Sequence, residues 1–216
     1  MTKYNPIALP SLERVSVNGT RFYQTPDGKH YPSVTTILSS VDNPHILEWR
    51  ARVGEEEANR ISARAANRGT RLHKLCEEHI MGIAVKPSII DLENWLTFKP
   101  LVDEIGEVLA LEAPLYSDYL KVAGTVDCVG YWNGKLSIID FKTSSRAKAA
   151  ADISSYYMQE AAYAVCFEER TKRPITQLVT LMSVDDEKPL VFIEHRDKWI
   201  RDFMKARREY TERFGV

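Results

Sequence analysis

Residues 122–143 read VAGTVDCVGYWNGKLSIIDFKT and predict a β-hairpin that carries charged side chains. Asn133-Gly134 is a strong two-residue turn signal, and the segments on both sides are rich in β-branched and aromatic residues. A turn at these two residues fixes the register of the strands, and counting outward from it pairs Asp127 with Asp140. The hairpin is therefore expected to place two carboxylates opposite each other.

Two facing carboxylates destabilise a sheet unless something binds between them, and a divalent cation is the simplest candidate. Side chains alternate along a strand, so Lys142 shares a face with Asp140, while Ile139 and Phe141 point away. The alternative is an ordinary cross-strand ion pair between Lys142 and Asp127 on the surface. It is disfavoured because the strand is otherwise apolar, and charges in an apolar strand are costly.

Several motifs along the chain resemble the PD-(D/E)xK nuclease superfamily, and they occur in the order that the superfamily has. Gly124–Asp127 (GTVD) followed by Ile139–Thr143 (IDFKT) is similar to the nuclease core. Gly69–His73 (GTRLH) upstream and Gln159–Tyr163 (QEAAY) downstream are similar to the branch typified by the RecB nuclease domain. The resemblance is specific because ordered motifs of this kind rarely match together by chance.

The N-terminal half extends this resemblance. Tyr31–Leu38 (YPSVTTIL), followed by Trp49, is similar to the family of the mitochondrial genome maintenance exonuclease and its phage relatives. The resemblance implies an α/β protein with a PD-(D/E)xK restriction-endonuclease-like core, in which a mixed β-sheet is flanked by helices and preceded by a helical half. It also implies a metal-dependent DNA exonuclease that hydrolyses phosphodiester bonds from single-stranded ends.

The composition fits one globular domain, since the chain has 216 residues and a hydrophobic fraction of 44%. We expect a single nuclease domain over 1–216, with a hairpin and helical half over 1–105 and a catalytic sheet core with a C-terminal helix over 106–216. No apolar run has the length of a membrane span, and the N-terminus has neither a secretory nor a mitochondrial leader pattern. A bacterial cytoplasm or a phage-infected host is the expected location.

Local signals predict the elements that carry the motifs. Helices over 54–66 and 69–81 are expected to be separated by a stop signal at 67–69. Residues 88–104 predict an amphipathic helix whose apolar side contains Ile89, Leu92, Trp95 and Leu96. The other expected elements are a hairpin over 12–31 around Asn18-Gly19, a helix beginning at Asp42-Asn43, strands over 108–116, 122–132, 135–143, 178–184 and 190–195, and helices over 148–171 and from Asp197.

The expected metal site combines the hairpin with groups assigned by the resemblance. Asp127 and Asp140 would ligate the ion directly, and by resemblance the main-chain carbonyl of Phe141 and the imidazole of His73 would join them. Magnesium prefers oxygen ligands, whereas an imidazole suits manganese better, so we expect Mg²⁺ or Mn²⁺. A lone histidine more often packs on a helix face, but its GTRLH context favours a ligand.

Two more acids lie where they could add metal ligands. Glu112 is in the strand before the hairpin, where relatives often place an acid, and Glu77 follows His73 by one helical turn. A helix-surface acid is an equal interpretation of Glu77. Some RecB-branch relatives hold an iron–sulfur cluster on four cysteines, but we expect none here because the three cysteines are far apart and predict buried thiols: Cys76, Cys128 and Cys166.

The resemblance assigns the remaining catalytic roles to Lys142, Gln159 and Tyr163. Lys142 would orient and help deprotonate the attacking water and offset charge on the phosphorane. Gln159 and Tyr163 would hold the lysine or a DNA phosphate, although core packing is an equal interpretation of Tyr163. Further candidate DNA contacts are Thr143, Ser144 and Lys148 for phosphates and Tyr156 for stacking on a base.

Net charge argues against a nucleic-acid enzyme, since 29 Lys plus Arg face 30 Asp plus Glu. The distribution of charge favours one. A basic stripe with helical spacing leads towards His73 and is expected to contact DNA phosphates, although a solvated helix face is the alternative. The stripe contains Arg60, Arg64, Arg68, Arg71 and Lys74.

The leading prediction is therefore a Mg²⁺- or Mn²⁺-dependent exonuclease whose partner is DNA, preferably single-stranded, with no membrane association. A duplex-resecting recombination exonuclease or an endonuclease of the same superfamily is the nearest alternative, because fold does not establish function. A catalytically silent DNA-binding module is disfavoured since every expected catalytic residue is present. An RNA-directed nuclease stays open, and no protein partner is indicated.

Overall fold

The computed structural model describes residues 3–17, 19–41 and 44–216. The predicted turn residue Asn18 and the predicted helix start at Asp42-Asn43 lie outside the described residues. The elements along the described chain are β1 (Lys3–Tyr4), β2 (Glu13–Val17), β3 (Thr20–Gln24), β4 (His30–Pro32), α1 (Val34–Ser40), α2 (Pro44–Val53), α3 (Glu55–Ile80), α4 (Leu92–Asp103), β5 (Glu107–Ser117), β6 (Val122–Trp132), β7 (Lys135–Ser144), α5 (Ser154–Thr171), β8 (Gln177–Val184), β9 (Leu190–His195) and α6 (Arg196–Phe214).

The main sheet is mixed and has the strand order β1-β5-β6-β7-β8-β9. The pairs β5–β6, β6–β7 and β8–β9 are antiparallel, whereas β1–β5 and β7–β8 are parallel. The parallel β7–β8 pair needs a crossover connection, which α5 supplies. A second sheet, β2-β3-β4, contains the predicted N-terminal hairpin. The predicted mixed sheet flanked by helices is confirmed.

The central hairpin has the predicted register, which runs from Trp132–Lys135 to Cys128–Ile139. Beyond this last pair, β6 continues beside β5 and β7 continues beside β8. The pairing of β6 with β7 therefore ends at Cys128–Ile139, the pair next to Asp127 and Asp140. The prediction that these two aspartates form a cross-strand pair is wrong in this detail, because the pairing ends before it reaches them.

Helices cover both faces of the main sheet. On one face, α1, α5 and α6 pack on a core that includes Val129, Ile138 and Leu178. On the other face, α3 and α4 pack on a core that includes Ile139 and Phe141. The alternation of Ile138 and Ile139 between the two cores explains why this strand is apolar on both sides.

The region from Glu55 to Ile80 is one continuous helix, so the predicted break at 67–69 is wrong. A glycine inside a helix costs about 1 kcal/mol relative to alanine. Burial of the apolar face that follows offsets this cost, since its side chains enter the core under the sheet: Leu72, Leu75, Cys76 and Ile80. Tertiary packing therefore overrides the local stop signal.

The helix predicted over 88–104 begins later, and its apolar side is divided. The buried side of α4 is formed by Trp95, Phe98 and Val102. Ile89 precedes the helix, and Ile89, Leu92 and Leu96 are 91%, 43% and 60% exposed. The expectation that Ile89, Leu92 and Leu96 share a buried face with Trp95 is wrong, because the sheet covers only the side of α4 that carries the aromatic residues.

The crossover helix α5 also begins later than predicted, at Ser154, after a 3₁₀ turn at Ala150–Ile153. The three cysteines are buried and free, as expected for thiols that pack in apolar segments. Within the described ranges, none of the helices has both the length and the apolar character that a bilayer crossing requires.

Two glycines provide a test of this packing. A β-carbon at Gly124 would lie 2.6 Å from the Tyr163 hydroxyl oxygen, whereas at Gly69 the nearest atom would be Thr143 Oγ1 at 4.0 Å. We expect Gly124→Ala to lower the free energy of unfolding by about 1–3 kcal/mol through overpacking. Gly69→Ala should be neutral or stabilising by up to about 1 kcal/mol, because alanine favours the helix. Urea unfolding of both variants measures the difference, and equal stabilities would contradict this packing.

Candidate active site

The candidate site is built around the backbone of Phe141, at the point where β6 and β7 diverge. The Phe141 N–H donates a hydrogen bond to Asp127 Oδ2 at 2.9 Å, and the Phe141 carbonyl oxygen lies 2.7 Å from His73 Nε2. The N–H and the C=O of a strand residue point to the same side of the strand. For Phe141 this is the side of β6, whose pairing with β7 has already ended. Side chains of Asp127 and His73 thus replace the missing strand contacts.

His73 reaches this position from the middle of α3. Its Nε2 atom is 3.6 Å from Asp127 Oδ2, and its Nδ1 atom is 3.4 Å from Glu112 Oε1. The imidazole ring stands edge-on to the Phe141 ring, with 6.1 Å between centroids. Since both ring nitrogens face oxygen acceptors, the imidazolium form, which has two N–H donors, matches this environment.

Glu112 is directed towards His73 by an unusual backbone conformation. Its φ of 44° lies in the left-handed region, although Leu111 and Ala113 on either side are paired with β6. A non-glycine residue in this region is strained, by about 1–3 kcal/mol, and such strain is concentrated at functional sites. The register on either side is regular and places Glu112 opposite Asp127.

His73, Glu112 and Asp127 could hold a metal ion together. Each offers one ligand atom, and these atoms lie within 4.8 Å of one another. Neighbouring ligands of an octahedral Mg²⁺ ion are about 3 Å apart, because the metal–oxygen distances are about 2.1 Å. The separations of His73 Nε2 from the Phe141 carbonyl oxygen and from Asp127 Oδ2 bracket that value. Glu112 faces the other ring nitrogen, Nδ1, so the chemistry of the donor set fits Mg²⁺ or Mn²⁺, but Glu112 would have to shift to share an ion with Nε2.

Asp140 lies beside this cluster but is engaged by other groups. Its Oδ2 atom forms an ion pair with Lys142 Nζ, and its Oδ1 atom accepts a hydrogen bond from Gln159 Nε2 at 3.2 Å. The predicted shared face of Asp140 and Lys142 is confirmed. Gln159 was expected to hold the lysine or a phosphate, whereas it contacts Asp140, the carboxylate that pairs with that lysine.

Three electrostatic effects follow from this arrangement. Burial lowers the pKa of His73, but its hydrogen bond to Glu112 and the charges of Asp127 and Asp140 outweigh it and raise the pKa to about 9. Burial raises the pKa of Asp140 to about 6 even though Lys142 opposes the shift. Burial also lowers the pKa of Lys142, but the neighbouring carboxylates raise it above its ordinary value, so Lys142 is an ammonium.

Tyr156 lies between two lysines. Lys142 Nζ and Lys148 Nζ are 5.1 Å and 5.2 Å from the centroid of its ring, and Lys148 also donates a hydrogen bond to the Tyr156 hydroxyl at 3.1 Å. Cations over an aromatic face are attracted by its quadrupole. Tyr156, predicted to stack on a base, therefore also contacts Lys142, whereas Lys148 contacts only Tyr156 of these two.

Glu160 is a buried acid beside the site that sequence reasoning missed. Its side chain is fully buried, and Oε1 accepts a hydrogen bond from the Thr180 hydroxyl, while Oε2 is buried without a partner. Thr180 is the β8 residue aligned with Asp140. The available signal was an acid in an otherwise apolar helical turn next to Gln159. Burial raises the pKa of Glu160 well above its ordinary value.

Three other predicted site residues serve the packing around the cluster. Tyr163 is only 3% exposed, and its ring packs against Gly124 of the GTVD motif. Ser144 donates a hydrogen bond to the carbonyl oxygen of Arg146 at 2.7 Å and so closes the turn after β7. Thr143 lies on the α3 side of the sheet, away from Lys142.

The predicted basic stripe is largely neutralised within the protein. Three of its arginines form intramolecular ion pairs: Arg60 with Glu57, Arg68 with Asp185 and Arg71 with Asp91. The Arg68 pair joins α3 to the end of β8, and Asn94 also donates to Asp185. Arg68 and Arg71 are thus engaged by acids, whereas Arg64 is exposed, and the contact of these arginines with DNA stays a prediction.

An open hollow of about 640 Å³ leads to the cluster. His73 and Glu112 form its inner part, and the exposed side of α3 forms the rest. Its lining consists of Gly69, Thr70, His73, Lys74, Glu77 and Glu112. Glu77, a further candidate ligand, lies in this lining, outside the group formed by His73, Glu112 and Asp127.

Comparison with known proteins identifies similar sequences with one name. The mitochondrial genome maintenance exonuclease 1 of Mus musculus is 30% identical over 131 residues, which cover 54% of this chain and 38% of the relative. The Xenopus tropicalis protein of the same name is 29% identical over 177 residues, which cover 74% of this chain and 50% of the relative. The human protein is 26% identical over 132 residues, covering 54% of this chain and 38% of the relative. The chain thus spans half or less of the length of these relatives.

No family model matches the chain. Among solved structures, that of SSO0001 covers 82% of this chain and 84% of its own, with 14% sequence identity and a TM-score of 0.38. This similarity is too low to establish a shared fold.

The three-residue cluster predicts a specific pattern of metal binding. We expect Glu112→Gln to weaken Mn²⁺ binding about tenfold or more, because it removes a charged ligand atom from the group. The matched variant Glu77→Gln removes a charge from the same hollow but should change the affinity by less than about threefold, as expected for an outer acid. Isothermal titration with Mn²⁺ measures both. A larger loss in Glu77→Gln would contradict the assignment.

The raised pKa of His73 predicts a pH dependence of stability in metal-free buffer. As the pH rises above the ordinary value of 6.5, the unfolded chain loses the His73 proton while the folded protein keeps it until about 9. The stability due to this group is therefore complete below 6.5 and falls by about 2 kcal/mol towards pH 8.5. Urea unfolding of wild type and His73→Gln in chelator measures this, and a pH-independent difference between the two would refute it.

Proposed function

We propose that this protein is a metal-dependent DNA exonuclease that hydrolyses phosphodiester bonds from single-stranded ends. The observation that carries the proposal is the meeting of His73, Glu112 and Asp127 beside the Asp140–Lys142 pair where β6 and β7 diverge. The names of the similar proteins support a nuclease with DNA as substrate. The PD-(D/E)xK resemblance of the motifs supports the assignment of the residues.

In this proposal, His73, Glu112, Asp127 and the carbonyl of Phe141 would hold Mg²⁺ or Mn²⁺, and Asp140 would be a further ligand. The cation would supply Lewis acidity to the scissile phosphate and the attacking water. The water oxygen forms the new bond to phosphorus and the bond to the departing sugar oxygen breaks. The water gives up one proton and the departing sugar oxygen takes one up, so the products are a phosphate monoester and a free hydroxyl. Burial of Asp127 and Asp140 keeps these charges close to the reacting group and strengthens their interaction with a cation.

Lys142 supplies a fixed positive charge beside the phosphate. Its ammonium is held between the Asp140 carboxylate and the Tyr156 ring, which places it next to the metal ligands. A charge placed in advance stabilises negative charge that develops on the phosphorane oxygens. Because the neighbouring carboxylates raise its pKa, Lys142 is an ammonium in the metal-free protein, and in this proposal its charge orients the attacking water and the phosphate. Gln159 keeps Asp140 in place for this pair.

The proposal predicts that Asp140→Asn and Lys142→Ala each reduce cleavage by about a thousandfold, because buried charges at a reacting phosphate contribute several kcal/mol. Chelator should abolish cleavage by the wild type. The assay follows linear single strands labelled at either end, circular single strands, linear duplex and RNA, with Mg²⁺, Mn²⁺ or chelator. Loss of linear but not circular single strands establishes an exonuclease.

The chain offers a matched control for the lysine. Lys198 pairs with Glu194 at 2.6 Å and lies 5.1 Å from the Trp199 ring, as Lys142 lies beside Asp140 and Tyr156, but it is on α6. Lys198→Ala should keep full activity. Cleavage of circles would identify an endonuclease, and degradation of blunt duplex a resecting enzyme. DNA binding without cleavage in either metal would identify a catalytically silent module.

A further inference from the structure

The turn between α3 and α4 presents two isoleucines to solvent. Ile89 and Ile90 are 91% and 69% exposed, and they occupy the centre of a turn closed by the Asp91 N–H donating to the Ser88 carbonyl oxygen at 3.0 Å. Turn centres favour Gly, Pro, Asn, Asp and Ser, so two β-branched apolar residues there have no local cause. Binding residues are often on loops, and adjacent exposed apolar side chains there are candidates for a binding surface.

The turn is attached to α3 in a way that keeps these side chains outside. The Asp91 carboxylate accepts hydrogen bonds from Arg71 Nε, at 2.8 Å and 3.0 Å, and from the Ser88 hydroxyl. The Nε atom of Arg71 is thereby engaged by Asp91. The contacts fix both ends of the turn and leave Ile89 and Ile90 at its tip.

A second hollow lies directly beside this turn. Its volume is about 490 Å³, and three basic residues and two acids are among the residues that line it: Arg71, Lys74, Leu75, Glu78, Ala84, Lys86, Ser88 and Asp91. Lys74 also lines the hollow that leads to His73 and Glu112. The two hollows therefore adjoin across α3 at Lys74, whose side chain is 72% exposed and only loosely paired with Glu78, at 3.8 Å.

The chemistry of this surface matches one kind of ligand. Lys74 and Lys86 offer ammonium groups for phosphates, and the isoleucine pair beside them offers an apolar contact for flat, uncharged rings. A single strand presents both features together, because its bases are unstacked and accessible. In a duplex the bases are stacked inside, so the isoleucines would face the charged phosphate backbone and gain no apolar contact.

We propose that the second hollow and the Ile89-Ile90 turn form a binding site for single-stranded DNA next to the candidate active site. The strand crosses α3 at Lys74, its phosphates contact Lys74 and Lys86, and its bases pack on the two isoleucines. This inference rests on the proposed function, because it takes the strand to continue from the first hollow. It identifies the part of the protein that selects single strands.

The test measures binding in chelator, so that it does not depend on cleavage. Fluorescence anisotropy follows labelled single strands of about 4 and about 16 nucleotides, the range of single-strand site sizes, and a blunt duplex. We expect the double variant Ile89→Ser/Ile90→Ser to bind the long strand about tenfold more weakly, the scale of about two buried methylene groups lost from the contact. Binding of the short strand and of the duplex should change by less than about twofold, within the range of a surface substitution.

Salt dependence tests the two lysines separately. Lys74→Ala and Lys86→Ala should each lower the slope of log affinity against log salt by about 0.7, as for one phosphate on a single strand. Lys205→Ala is a matched control, because Lys205 is 70% exposed and lies 3.8 Å from Glu209 on α6. Val191→Ser/Ile193→Ser on β9 is the control for exposed apolar residues. Neither control should change binding.

Unchanged binding of the long strand by the isoleucine variant would overturn the proposal, and so would an equal loss on duplex. A wild-type dimer that dissociates in the isoleucine variant, with DNA binding unchanged, would assign the turn to contact with a second copy of the chain. Failure of the proposed function has a different signature. In that case wild type does not cleave with Mg²⁺ or Mn²⁺, whereas the binding differences between variants can still be measured.

Discussion

The backbone of Phe141 needs hydrogen-bond partners that the neighbouring strand does not provide, and much of the site follows from this requirement. Buried N–H and C=O groups are almost always paired, because an unpaired one costs about 1–3 kcal/mol. Here the carboxylate of Asp127 and the imidazole of His73 meet the need. The same two groups are candidate metal ligands, so completion of the sheet and construction of the site are one arrangement. A substitution at either position therefore affects stability as well as chemistry.

The part of the site between β7 and α5 contains buried charged side chains that need partners. Asp140, Lys142 and Glu160 are enclosed between β7 and α5, and isolated charges in such a place would be too costly. The Asp140–Lys142 pair, the Gln159 hydrogen bond and the Tyr156 ring offset part of this cost. Groups that are already paired have little freedom to move, which suits a site that must place charge before the substrate arrives.

Helix α3 connects the site with the surface around it. One side of the helix carries His73 to Glu112 and Asp127, and another carries Arg71 to the turn that holds Ile89 and Ile90. Lys74 lies between these two sides. The overall charge of the protein is close to zero, and most arginines of the helix are neutralised by acids. In the proposed function, contact with nucleic acid would depend on a few exposed cations, whose local placement matters more than the net charge.

The sequence by itself determined the central hairpin, its register as far as Cys128–Ile139, and the shared face of Asp140 and Lys142. These features depend on a two-residue turn and on strand alternation, which act over short distances. Only the tertiary structure decided that α3 is continuous, that β6 and β7 diverge before the aspartates, that Glu112 has a left-handed φ, and that the isoleucines after α3 are exposed. Each of these depends on contacts between residues far apart in the chain, where packing and backbone pairing outweigh local preference.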